Sequence, residues 1–138
     1  MISNEIIKAA TNNEHYGLIN KPSHSSNLKN KICGDKIKIQ LKVKNNQIEI
    51  FKYKTESCVF CQASASILAS KASFISISSL KKDTKIIYDI IDGKKNTLPK
   101  NFSHFKIFLR NQYKNRSGCI MLPFNALIKA LKIWNNLI

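Results

Sequence analysis

The sequence predicts an α+β fold from three observations. An early segment has apolar residues at helical spacing, one pair of segments alternates with period two about an Asn-Asn turn, and the rest of the chain reads as helices. With 138 residues the chain is long enough to bury one core without disulfides, so residues 1–138 are read as a single domain.

The first element is a short amphipathic helix. Ser3 is its N-cap, and Ile2, Ile6, Ile7 and Ala10 form its apolar stripe. A polar stretch from Asn12 to Lys31 follows, with Gly17, Pro22 and several serines, and reads as loop that contributes at most an edge strand. From Lys36 the period becomes two: Ile37, Ile39, Leu41 and Val43 alternate with Lys36, Lys38, Gln40 and Lys42. Asn45-Asn46 then turns the chain, because asparagine tolerates the positive φ that a two-residue hairpin loop demands, and Gln47 to Lys54 returns as the second strand. The apolar parity slips between Ile50 and Phe51, which places a bulge there.

Small, helix-compatible residues from Ala63 to Ala69 predict a helix that starts near Ser57 to Phe60. Leu80 to Ile91 gives a second, ending before Gly93. Asn101 to Gln112 gives a third, with Phe102, Phe105, Ile107, Phe108 and Leu109 as its apolar side. Leu122 to Leu137 closes the chain as a helix with Pro123 in its first turn and Leu127, Ile128, Leu131 and Trp134 facing inward; Cys119 precedes it.

No apolar run approaches the roughly 20 residues of a spanning helix, and Ser3, Asn4 and Glu5 make the start polar, so a soluble, cytoplasmic protein is expected, with no membrane partner. In a reducing compartment the four cysteines point to metal or sulfur chemistry in place of a disulfide framework. The net charge of +15 raises nucleic acid as a partner. Against it, all but Arg110 and Arg116 of the 23 basic residues are lysine, spread along the whole chain, and base recognition favours the arginine fork. A solvated lysine surface, suited at most to an acidic protein, is the reading adopted; no nucleic acid is expected.

Hairpin register collects the thiols. With Lys44 facing Gln47, counting outward sets Cys33 opposite Cys58, give or take the bulge. Facing residues lie about 5 Å apart, within reach of one ion at Zn–S bonds of about 2.3 Å. Gly34 lets the chain turn so that Asp35 points at the same place. A helix starting just beyond Cys58 would aim its positive dipole end at the thiolates. The fourth ligand stays open at this point: Cys58-x2-Cys61 resembles half a zinc knuckle, and four thiolates without Asp35 make an acceptable site. His15, His24 and His104 have no ligand spacing and read as surface or loop residues.

Cys33-Gly34-Asp35 before a lysine-rich strand, Cys58-x3-Gln62-Ala63-Ser64-Ala65-Ser66 after its hairpin partner, and Arg116-x2-Cys119-x2-Leu122-Pro123 stand in that order. Together they resemble the IscU/NifU N-terminal family of iron-sulfur cluster assembly proteins over about Glu5 to Leu131, and most resemble its SufU branch. The long step from Cys58 to Cys119, Gly118 where IscU-type scaffolds carry a histidine, and Arg116 support that branch. Ser57 in place of a common glycine, and Pro22-Ser23-His24 in place of Pro-Arg-Asn, depart from the pattern without removing a ligand.

The resemblance implies a small antiparallel sheet of about three strands packed against several α-helices, with the site at the exposed end of the hairpin. It implies one zinc ion on Cys33, Asp35, Cys58 and Cys119, leaving Cys61 a bystander. It implies a sulfurtransferase in which Cys33 accepts persulfide sulfur from a SufS-like, pyridoxal-phosphate cysteine desulfurase for delivery to cluster assembly scaffold proteins. A partner histidine that displaces Cys33 from zinc would free its thiol, and Arg116 would handle the sulfur or touch the partner. The alternative it carries is a scaffold assembling a transient 2Fe-2S cluster on the same four ligands.

Overall fold

The computed structural model describes residues 2–132. In chain order it has α1 (Asn4–Ala10), β1 (His24–Lys29), β2 (Lys36–Lys44), β3 (Gln47–Glu56), α2 (Val59–Ala72), α3 (Ile77–Ile91), two 3-10 segments (Lys100–Phe108 and Asn111–Arg116) and α4 (Ser117–Leu131). The sheet is antiparallel with order β1-β2-β3.

Asn45 (φ 53°) and Asn46 (φ 61°) both take the left-handed conformation that the tight β2–β3 turn requires. Lys44 faces Gln47 as the sequence indicates, but the bulge lies closer to the turn than expected: Val43 faces Ile48 and Lys42 faces Ile50, so Glu49 is the extra residue. That insertion keeps Ile48 buried on the same face as Phe51 and Tyr53. The edge strand is present as β1, paired residue for residue with β2 from His24–Leu41 to Lys29–Lys36.

Ile37, Ile39 and Leu41 of β2 and Phe51 and Tyr53 of β3 form the buried face of the sheet. α2 lies along β3, α4 lies along β1 and β2, and the two helices pack on each other, with α1 on the other side of α2. α2 is buried over most of its surface: Ala63, Ser64, Ala65, Leu68, Ala69 and Ala72 are all buried and only Ser70 is exposed, so small side chains let its neighbours approach its backbone closely. Of its two buried serine hydroxyls, that of Ser64 is satisfied across the helix pair, its Oγ donating to the Ile120 carbonyl of α4 at 2.6 Å. In α1, Ser3 caps as expected, accepting the Ile6 N–H, but only Ile6 is fully buried, and Ile2 and Ile7 remain exposed.

Two helices differ from the sequence reading. The expected helix over Asn101 to Gln112 is two 3-10 segments, and Phe102 (φ −120°, ψ 28°) breaks the first. Phe102, Phe105 and Phe108 recur every third residue and are all buried. A three-residue turn stacks such residues on one line, whereas an α-helix would rotate the stripe away from the core. The last helix begins at Ser117, five residues before the expected Leu122, which puts Cys119 inside its first turn and Pro123 in its second. Pro123 has no N–H for the Cys119 carbonyl, so the turn bearing the thiol lacks that helical bond. Lys132 ends the helix in the left-handed conformation, and the expected continuation through Trp134 to Leu137 lies outside the described residues.

Among the described residues no helix is long and apolar enough to cross a membrane. Tyr88 of α3 donates its hydroxyl to Asn125 Oδ1 of α4, and burial pushes its phenol up to about 12. An unfolded chain ionises the same phenol near 10. Below about pH 10 this group therefore costs no stability; above it the unfolded state gains by ionising, and the loss levels off near pH 12. Urea midpoints measured between about pH 9 and 11.5 should fall less steeply for Tyr88→Phe than for the unsubstituted protein.

Candidate metal centre

Residues 30–35 form the loop between β1 and β2 and carry two of the candidate ligands. Gly34, at φ 79°, supplies the left-handed residue that reverses the chain after the exposed Cys33. The loop is closed by the Asn30 N–H donating to the Asp35 carbonyl (2.8 Å) and the Gly34 N–H donating to the Asn30 carbonyl (2.7 Å). The hairpin ladder stops at Lys36–Glu56, and Glu49 has shifted its register by one. Cys33 and Cys58 are therefore not a ladder pair; Cys33 turns instead toward α4, and its Sγ lies 3.5 Å from Cys119 Sγ.

Asp35 is buried at the centre of this arrangement. One carboxylate oxygen, Oδ1, accepts the backbone N–H of Cys58 at 3.1 Å, which ties the loop to the start of α2. The other, Oδ2, is buried with no hydrogen-bond partner. One ligand atom each from Cys33, Asp35 and Cys119 lies within 4.8 Å of the others. Cys58, half-buried at the N-cap of α2, borders this cluster without being one of its three residues, and is near enough to help raise the Cys119 thiol.

The starts of two long helices, α2 and α4, thus meet at the thiols, and their dipoles favour negative charge there. Burial opposes them at Cys119. It is the main cause raising that thiol well above its ordinary range, followed by the contacts with Cys33 and Cys58. A cation is what reconciles a buried carboxylate oxygen without a donor and adjacent thiols that lose protons on metal binding, so the donor set fits a metal ion.

Cys61 is not among the three clustered ligand residues. It is fully buried, burial pushes its thiol up to about 12, and the hydroxyls of Ser57 and Thr55 oppose that shift. Thr55 Oγ1 in turn donates to the Lys36 carbonyl (2.6 Å) and to Ser57 Oγ (2.7 Å), tying the end of β3 to the start of β2 under the site. Arg116 caps α4 one turn from Cys119, with its guanidinium 5.6 Å from the centre of the Phe60 ring on α2. Cation–π contact holds it beside the thiols without placing it among them. Two residues escaped the sequence reading: Phe60, whose role depends on the helix pairing, and Asn30. An asparagine three positions before a Cys-Gly pair is a recognisable Asx-turn signal, and its Oδ1 accepts the Ile32 N–H at 2.9 Å.

A family model described as the NifU-like N terminal domain matches residues 1–120. The iron-sulfur cluster assembly scaffold protein IscU of Thermotoga maritima is 27% identical over 139 residues, which cover 96% of this chain and 93% of that protein. The scaffold protein IscU 1 of Archaeoglobus fulgidus is 29% identical over 104 residues, 75% of this chain and 66% of that protein. Among solved structures, the N-terminal part of a nitrogen-fixing NifU-like protein from Brucella abortus matches with a TM-score of 0.87 at 22% identity, covering 97% of this chain and 94% of its own. FiSufU from Fervidobacterium islandicum AW-1 matches with a TM-score of 0.80 at 20% identity, covering 94% and 95%. Both share the arrangement of a small antiparallel sheet and several helices. With the family model spanning most of its length, this chain belongs to the family of NifU-like N-terminal domains.

Proposed function

We propose that this chain serves iron-sulfur cluster assembly as a zinc-dependent sulfurtransferase, with Cys33, Asp35, Cys58 and Cys119 holding the zinc and Cys33 accepting sulfur from a cysteine desulfurase. The observation that carries the metal is the buried, partnerless Asp35 Oδ2 beside two sulfurs 3.5 Å apart. Tetrahedral zinc with Zn–S bonds of about 2.3 Å sets its sulfurs about 3.8 Å apart, close to the spacing already present. Bound zinc would hold the sulfurs as thiolates at neutral pH and mask them from stray oxidation.

The remaining chemistry belongs to the chain. Cys33 sits on an exposed loop and is the most accessible of the four ligands to a docked partner, with Cys58 half-buried and Cys119 and Asp35 buried. Its thiolate attacks the outer sulfur of the donor persulfide, the S–S bond to the donor cysteine breaks, that cysteine leaves as a thiolate, and Cys33 becomes the persulfide. Arg116, one turn from Cys119, supplies the positive charge that steadies an incoming anionic sulfur or partner carboxylate. The donor would be a SufS-like, pyridoxal-phosphate desulfurase in the reducing cytoplasm, and later acceptors would be cluster assembly scaffold proteins.

A second reading has its own support: the curated relatives are named as scaffolds, and the same four ligands suit a 2Fe-2S cluster as cargo. Metal analysis and the absorption spectrum of anaerobically purified protein separate the two. The sulfurtransferase should be colourless with about one zinc per chain, and should stimulate a purified desulfurase until the zinc is stripped. Brown protein with iron and sulfide would establish the scaffold instead. Steeply salt-dependent nucleic-acid binding without desulfurase stimulation would overturn both.

A further inference from the structure

We propose that Asn30 is the positioning residue of this site, fixing the distance between the Cys33–Asp35 loop and Cys119 by wedging its amide against Gly118; for its metal consequence this rests on the reading above. β1 runs along α4 and is pinned to it at three places. Ser26 Oγ donates to the Ala126 carbonyl (2.6 Å), Lys129 Nζ donates to the Asn27 carbonyl (2.9 Å), and Asn30 meets Gly118 at the start of the helix. The first two set the strand on the helix. The third sits where strand gives way to loop, three residues before Cys33, and against the residue next to Cys119.

The contact depends on there being no side chain at 118. A Cβ built on Gly118 would come within 2.9 Å of Asn30 Nδ2, closer than real Cβ contacts run. Gly118 lies in an α-helix and needs no unusual φ, so local backbone conformation does not demand glycine here; the close approach of Asn30 does. The other end of the same amide holds the loop: Oδ1 accepts the Ile32 N–H at 2.9 Å, which bends the chain one residue before Cys33. One side chain therefore touches the neighbour of Cys33 and the neighbour of Cys119. The exposed loop needs such a brace, since Ile32 at its tip is 98% exposed and no core contact restrains it.

The test reads the spacing directly in metal-free protein. In a Cys58→Ser, Cys61→Ser background only Cys33 and Cys119 remain, and diamide converts the pair to a disulfide by taking up two electrons and two protons. Asn30→Ala should slow that step about tenfold, because displacing reacting groups by an ångström is costly. Gly118→Ala, which favours helix, should slow it similarly by pushing the amide out. The combined variant should be no slower than either alone, since the new methyl enters the space the amide leaves. Thermal midpoints should not fall, so that slower oxidation cannot be laid to unfolding. An unchanged rate in Asn30→Ala, or slowing that multiplies in the combined variant, would overturn the proposal whatever the metal does. With Cys58 and Cys61 intact, zinc affinity measured by chelator competition should fall about 10–100-fold in Asn30→Ala. If the unsubstituted chain fails to bind zinc, the metal reading falls, and the disulfide rates still decide the role of Asn30.

Discussion

Cys33→Ser should reduce sulfur acceptance from a purified desulfurase to background while leaving the fold in place. Cys33 is exposed on a loop and contributes nothing to the core, so with zinc removed from both proteins the thermal midpoint should stay within about 2 °C of the unsubstituted protein. Serine keeps the size and the hydrogen-bonding capacity next to Cys119, but its hydroxyl stays protonated at neutral pH and forms no persulfide. Mass spectrometry after incubation with desulfurase and cysteine reads the result as presence or absence of one added sulfur. Cys61→Ser is the matched control. Its thiol lies fully buried beneath the site, beside the Thr55 and Ser57 hydroxyls that would satisfy a serine, so the added sulfur should persist there. Full sulfur loading of Cys33→Ser would end the sulfurtransferase reading, and loss in Cys61→Ser alone would move the acceptor to the buried thiol.

The hairpin and the site around it were legible because their signals are local. Period-two alternation and Asn45-Asn46 set strands and turn, and Cys-Gly-Asp contains its own turning residue. What the sequence could not convey depends on packing between distant segments. Cys33 and Cys58 leave at the same end of the hairpin, and the bulge at Glu49 moves their register by the one residue that the parity slip allows, but the ladder ends at Lys36–Glu56, before either cysteine. Cys33 finds Cys119 across the helix pairing instead. The error at Pro123 has a similar origin. Proline is at home in a first turn, yet here the helix begins five residues upstream because burial of Cys119, Ile120, Met121 and Leu122 outweighs one missing bond. The aromatic run from Phe102 to Phe108 was recognised as helical and apolar, but a spacing of three distinguishes a 3-10 turn from an α-helix only once the core it faces is known.

Phe124→Ala should be the most damaging single change to stability, at about 3–5 kcal/mol. The ring is fully buried on α4, and it is the only contact by which two other buried rings are joined edge to face: Phe105 at 5.3 Å and 90°, and Phe102 at 5.8 Å and 65°, among the described residues. Removing it leaves a cavity and also forfeits the aromatic packing that such pairs add, about 0.5–1.5 kcal/mol each. The surroundings cannot collapse easily, because Pro123 stiffens the helix on one side and the 3-10 segment that faces it is already broken at Phe102. A protein of this size is stable by about 5–15 kcal/mol in total, so the variant would sit near the edge of folding. Phe124→Leu, which refills most of the space, should cost well under half as much. Urea titration reads both through the midpoint. A loss below about 1 kcal/mol in Phe124→Ala would mean that the 3-10 segment is anchored elsewhere. The same variant separates fold from function: Cys119 lies on the same helix little more than one turn away, so if the site depends on the register of α4, zinc affinity should fall with stability, whereas Cys33→Ser leaves the stability of the zinc-free protein untouched.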